Sequence, residues 1–144
     1  MSPLTPQEPN TVYIVEDDEA VRRSLALALE LQGFAVNLHS SAESFLMREL
    51  PDRHAFIVLD QRLPGLSGLQ TLKILRRRGV ALPMALVTSH PELSLRAAAY
   101  EDGTPILEKP LLPEILLMAV RKGLAAHEQA RGVDPAQGHH PSTR

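Results

Sequence analysis

Apolar residues along this chain come in two rhythms. Short unbroken runs alternate with longer stretches in which they recur every three or four residues. The runs at 12–15 (VYIV), 34–38 (FAVNL), 55–59 (AFIVL), 84–87 (MALV) and 106–107 (IL) predict strands. Between them, Val21, Leu25, Ala28 and Leu29 mark one face of a first helix, which Gly33 is expected to close. Ser40 with Glu43 three residues later reads as the capping box of a second helix that buries Ala42, Phe45 and Leu46 and stops at Pro51. Pro64, Gly65 and Gly68 mark a loop, followed by a third helix with Leu69, Leu72, Ile74 and Leu75. A shorter helix is predicted over 92–101. A last one opens at Pro113, a favoured first-turn position, with Leu112, Ile115, Leu116, Ala119, Val120 and Leu124 as its buried face. Strand and helix alternate five times, and most of the strands lack polar alternation. Strands of that kind are buried on both faces, which predicts an α/β fold with a parallel sheet between two layers of helices.

The organisation follows from where this rhythm stops. Residues 1–10 contain Pro3, Pro6 and Pro9 and are expected to stay outside the packed domain, which spans 11–126. Residues 127–144 are polar, carry Gly132, Pro135, Gly138 and Pro141, and are expected to form a disordered tail too short for a DNA-binding domain. The initial Met and this tail favour a complete protein over a piece of a larger regulator. The 144 residues suit a single domain. A net charge of −2 shows no bias towards polyanions, and Arg76, Arg77 and Arg78 suit the C-terminal end of a helix without any ligand. Aromatics at 3% argue against a stacking surface for single-stranded nucleic acid. The absence of Cys excludes thiol catalysis and disulfides. No stretch approaches the roughly 20 apolar residues of a membrane span, so a cytoplasmic protein is expected.

The chemistry lies at the strand ends. In an open parallel sheet, ligands bind where the carboxyl ends of the strands meet the loops. Glu16 and Asp17 follow the first strand, Asp60 the third, Thr88 the fourth and Lys109 the fifth. Four separate parts of the chain thus send three acids, a hydroxyl and an ammonium to one rim. Clustered carboxylates repel one another unless a hard cation sits among them, and Mg²⁺ takes oxygen ligands. A carboxylate at the end of a wholly apolar strand is costly to bury without a partner, and carboxylates serve as nucleophiles at phosphorus. Asp18 is expected to cap the first helix or to sit at the surface; taken singly, Asp17 is equally readable as a helix cap, Thr88 as a satisfied hydroxyl and Lys109 as an ordinary ion pair.

At 12–23 (VYIVEDDEAVRR), 58–68 (VLDQRLPGLSG), 86–90 (LVTSH) and 107–111 (LEKPL) the sequence resembles the receiver domains of two-component response regulators. The resemblance runs from Val12 to about Ala126 and is strongest to the FixJ-like branch, through GFAVNLHSSAESFL and LEKPL. It implies a flavodoxin-like sheet of order 2-1-3-4-5. It implies Asp60 as phosphoacceptor, Thr88 as switch hydroxyl and Lys109 as the lysine that pairs with phosphate. It also implies a Mg²⁺ site formed by Glu16 (through water), Asp17, Asp60 and the carbonyl of Arg62, and a cis Lys109–Pro110 bond. The implied partners are a histidine kinase or a histidine phosphotransfer protein, and a downstream protein whose affinity changes on phosphorylation. Expected contact surfaces are the first helix, with Arg22 and Arg23, and the face built from the fourth helix, fifth strand and fifth helix.

The chain departs from the family at Ile106, where an aromatic switch residue is usual, and near Gly103–Thr104–Pro105, where it is one residue short. Tyr100 is a candidate substitute switch. His90, two residues past Thr88, is expected to influence dephosphorylation or else to be a surface residue. The competing readings are a pseudo-receiver that ignores phosphate, a receiver cut from a larger protein, and an Asp-nucleophile phosphatase. The last needs an acid two residues after the nucleophile, where this chain has Arg62. His139–His140 is too short a signal for a metal site.

Overall fold

The computed structural model of the protein describes residues 10–132. Five parallel strands, β1 (Thr11–Val15), β2 (Ala35–His39), β3 (Ala55–Asp60), β4 (Met84–Thr88) and β5 (Ile106–Glu108), form one sheet in the order β2-β1-β3-β4-β5. Between and after them run α1 (Glu19–Glu30), α2 (Ala42–Leu46), α3 (Gly68–Arg77), α4 (Leu93–Asp102) and α5 (Pro113–Gly132). Each predicted element is present, and the flavodoxin-like α/β architecture is the expected one. Among the described residues no helix is long and apolar enough to cross a membrane.

The period-2 geometry of strands divides the core in two. Tyr13, Val15, Ile57, Leu59 and Leu86 face α2, α3 and α4 with Phe45, Leu72, Leu75 and Leu95. Val12, Ile14, Phe56, Val58 and Val87 face α1 and α5 with Leu25, Leu29, Leu116 and Val120. All six residues of β3 are buried, so its terminal Asp60 is carried into the interior by apolar neighbours on both faces. β2 is an edge strand and only partly buried. At the other edge Pro105 lies just before β5, where a missing donor is tolerated, and its carbonyl accepts from Leu86 N–H at 3.0 Å.

Several local expectations need correction. The cap of α2 is Ser41, whose hydroxyl accepts from Ser44 N–H at 3.2 Å; Ser40 lies outside the helix. Glu43 does not close a capping box. It reaches 23 residues along the chain to accept Leu66 N–H at 3.0 Å. The helix ends at Leu46, well before Pro51. The capping box stands at α3, where Ser67 and Gln70 exchange bonds. In α5 the expected Leu116 and Val120 are buried, and Ala119 and Leu124 are half-buried against the same core, but Leu112 and Ile115, at the start of the expected stripe, are exposed. Gly123 lies so close to β3 that a Cβ there would come within 2.5 Å of the Phe56 ring. The helix also continues past Ala126 to Gly132, so the expected boundary falls inside it. Glu128 pairs there with Arg53, and Nη1 of the Arg131 guanidinium donates to Asp52 O at 3.4 Å, fixing the last turns to the loop before β3. The expectations for residues 1–9 and 133–144, His139 and His140 included, lie outside the described residues.

The triple-arginine segment closes α3 as expected, but Arg76 is engaged. Its guanidinium donates to Asp102 at 3.0 Å and to the carbonyls of Val80 and Leu82 at 2.9 and 2.8 Å. Burial raises the Asp102 pKa, but hydrogen bonds from Arg76 and Thr104 and the Arg76 charge outweigh it, and the carboxyl sits below its ordinary value.

Candidate functional site

The parallel register aligns the strand ends: Val15 pairs with Leu59, Asp60 with Val87 and Thr88 with Glu108. The residues just beyond β1 therefore stand beside Asp60. Glu16, Asp17 and Asp60 each present a carboxylate oxygen, all within 4.8 Å of one another. Glu16 and Asp60 are buried, at 5% and 2% exposure, whereas Asp17 faces solvent. Lys109 Nζ donates to Asp60 Oδ2 at 3.0 Å and lies 3.9 Å from Glu16 Oε1. The Lys109–Pro110 bond is cis, as the resemblance implied.

One lysine does not neutralise this cluster. Burial, reinforced by the Asp60 carboxylate, raises the Glu16 pKa, while Asp18 N–H and Lys109 pull it down; the balance leaves it at about 7. The cluster therefore has room for more positive charge. The donor set is all oxygen, which suits a hard divalent cation.

The turn after β1 is tightly bonded. Glu16 N–H donates to His39 O at 3.0 Å, Asp18 N–H donates to Glu16 Oε2 at 3.0 Å, and Asp18 Oδ1 accepts Val21 N–H at 3.0 Å to cap α1. Asp18 is thus a cap, the role expected of it. The loop after Asp60 is fixed as well: Arg62 N–H donates to Asp60 Oδ1 at 3.2 Å, and Gln61 Oε1 accepts Leu69 N–H at 2.8 Å. Gly68 admits no side chain, since a Cβ would lie 2.7 Å from Asp60 O. Gly65 takes φ +81°, and the Glu43 carboxylate packs against it.

Thr88 is buried at the end of β4, and its hydroxyl accepts from His90 N–H at 3.4 Å. Its carbonyl accepts Lys109 N–H at 3.0 Å, which ties the hydroxyl-bearing strand to the lysine. The His90 side chain is exposed. Ile106 is half-buried against the core shared by α2, α3 and α4. Tyr100, near the C-terminal end of α4, is 87% exposed. Beside the acids lies a cleft of about 340 Å³, lined by Val21, Leu25 and Leu111 and reaching Glu16, Asp60 and Lys109.

Of the predicted rim residues, Glu16, Asp17, Asp60 and Lys109 come together, and Thr88 is joined to them through its backbone bond with Lys109. Sequence reasoning missed the supporting roles of Glu43, Gln61 and Gly68. It also did not foresee that the Arg22 guanidinium donates to the chain's own carbonyls at Glu16 and Asp17.

Comparison with known proteins bears on the same residues. The model of one family, the response regulator receiver domain, matches residues 12–121. The transcriptional regulatory protein FixJ of Azorhizobium caulinodans is 41% identical over 125 residues, covering 85% of this chain and 59% of that protein. Nodulation protein W of Bradyrhizobium diazoefficiens is 37% identical over 127 residues, covering 88% of this chain and 55% of that protein. The chain therefore spans little more than half the length of these relatives. Among solved structures, FixJ-N superposes with a TM-score of 0.73 at 33% identity, covering 83% of this chain and 96% of that one. The response regulator StyR gives 0.77 at 33% identity, covering 84% and 62%. A matching family model over most of the described chain, and relatives well above 30% identity, lead to one conclusion: this chain belongs to the response regulator receiver domain family of two-component signalling.

Proposed function

We propose that Asp60 is the phosphoacceptor, taking a phosphoryl group from a phosphohistidine on a histidine kinase or phosphotransfer protein, with Mg²⁺ bound among the acids. The observation that carries this reading is the buried Asp60 carboxylate, 3.0 Å from the Lys109 ammonium and clustered with Glu16 and Asp17. Glu16, Asp17 and Asp60 would hold the ion, with the Arg62 carbonyl completing the protein's share. When bound, Mg²⁺ supplies neutralising charge to the oxygens of the transferring group. An Asp60 oxygen forms the new bond to phosphorus as the bond to imidazole nitrogen breaks, leaving an acyl phosphate. Lys109, displaced from its pairing with Asp60, pairs with a phosphoryl oxygen, and the Thr88 hydroxyl donates to another. The chain's contribution is positioning and electrostatics, as is general for phosphoryl transfer. In this reading the protein is a signalling phosphoacceptor rather than a turnover enzyme, and its output is altered affinity for a downstream protein.

Ile106 has no ring to turn inward, so the signal leaves Thr88 by another route. The Thr88–Lys109 backbone link and the Arg96–Glu108 pair at 3.5 Å connect the site to α4 and β5 without an aromatic residue. Amide NMR spectra with Mg²⁺, before and after adding beryllofluoride as a phosphoryl mimic, test this. Shifts at Thr88 that spread into α4 and β5 are expected. Shifts confined to the rim would leave a module that binds its partner constitutively.

A further inference from the structure

Resting on the receiver reading, we infer that Arg22 is a positioning residue of the acid cluster. Its guanidinium holds the Glu16–Asp17 main chain so that both carboxylates stand ready for a divalent cation.

Nη1 of Arg22 donates to Glu16 O at 2.8 Å and to Asp17 O at 3.2 Å. These two carbonyls precede the first intrahelical acceptor of α1, Asp18 O, which takes Arg22 N–H at 2.9 Å. They lie upstream of the helix ladder, and the side chain of the residue that opens the ladder supplies them with a donor. Together with the bonds from Glu16 N–H to His39 O and from Asp18 N–H to Glu16 Oε2, the guanidinium fixes the turn on several sides. The neighbouring Arg23 does nothing of the kind: it is exposed and pairs only along the helix surface with Glu19 at 3.0 Å. Two arginines adjacent in sequence thus divide between a structural role at the acids and an open surface.

The two ways Arg22 acts on a cation have opposite signs. Its charge repels Mg²⁺, so losing the charge alone would tighten binding. Its hydrogen bonds hold the ligands in place, and loss of such supporting partners typically weakens metal affinity by about 10- to 100-fold. The inference is that the second effect dominates.

The test is Mg²⁺ titration by calorimetry of the full chain and of R22M, R22K and R23M, with thermal melts of the metal-free proteins alongside. R22M should bind Mg²⁺ about tenfold more weakly than wild type. R22K should recover part of the loss, and R23M, which removes the same charge from the same helix, should bind at least as tightly as wild type. R22M binding as tightly as wild type, or as R23M, overturns the inference. If R22M does not fold, R22K decides against R23M: weaker binding by R22K supports the role, and equal binding overturns it. Absence of Mg²⁺ binding in the wild type would instead overturn the receiver reading itself, a separate and recognisable failure.

Discussion

Replacing Gly68 by Ala adds one methyl group where the first turn of α3 crosses the end of β3. The new Cβ would lie 2.7 Å from Asp60 O, 3.0 Å from Gln61 Cα and 3.1 Å from Asp60 C, against an ordinary contact of 3.4–4 Å. All three atoms are backbone, so no side chain can swing aside, and helix and strand end must part by roughly half an ångström. Overpacking of this kind costs about 1–3 kcal/mol. The gain in helix propensity, at most about 1 kcal/mol, is smaller at a first-turn position than in mid-helix. A net loss of about 1–2 kcal/mol, at the usual unfolding entropy per residue, lowers Tm by roughly 4–8 °C. Because the displaced atoms belong to Asp60, phosphorylation by acetyl phosphate should slow on the order of tenfold. Gly79→Ala is the control: Gly79 has φ +87° and nothing within 4 Å of an added Cβ. That variant pays about 1–2 kcal/mol for a left-handed backbone and leaves the site alone. Thermal melts and a phosphorylation time course on both variants decide the matter. Wild-type phosphorylation in Gly68→Ala, or equal slowing in Gly79→Ala, would refute the reasoning.

Two further outcomes follow from the same geometry. Glu43→Gln replaces a charged acceptor of Leu66 N–H with a weaker one, and the Leu66 amide should exchange with solvent several-fold faster, consistent with about 1 kcal/mol for such a bond; an unchanged exchange rate would remove the tether. Asp102 has a depressed pKa in the folded state, so its contribution is present above the unfolded carboxylate value and is lost as pH falls through the folded one. The stability difference between wild type and Asp102→Asn, from urea midpoints, should therefore be larger at pH 6 than at pH 3, and an equal difference would contradict the assignment.

The sequence disclosed the sheet and its rim because both depend on local, repeated signals. β3 reads as five apolar residues ending in an acid, and that pattern alone predicts a carboxylate carried into the interior. What it concealed were contacts between distant segments. Glu43 stands three residues after a serine, as a capping box requires, yet its partner is Leu66 in another loop. In α5, Leu112 and Ile115 fit the same helical period as the buried Leu116 and Val120 and the half-buried Ala119 and Leu124, and nothing local in the sequence marks those two as exposed. The end of the same helix was misplaced for a related reason: 127–132 is polar, and its anchors, Arg53 and Asp52, lie more than 70 positions earlier. Arg22 is the subtlest case, because an arginine on an amphipathic helix looks the same in sequence whether it meets solvent or the main chain of its own turn.

The central claim is that Asp60 accepts the phosphoryl group. Its most direct test is the intact mass of the protein after incubation with acetyl phosphate and Mg²⁺, beside Asp60→Ala under the same conditions. A gain of one phosphoryl mass in the wild type, absent from Asp60→Ala and abolished by EDTA, is the predicted result. An equal gain in both proteins, or none in the wild type, would contradict it.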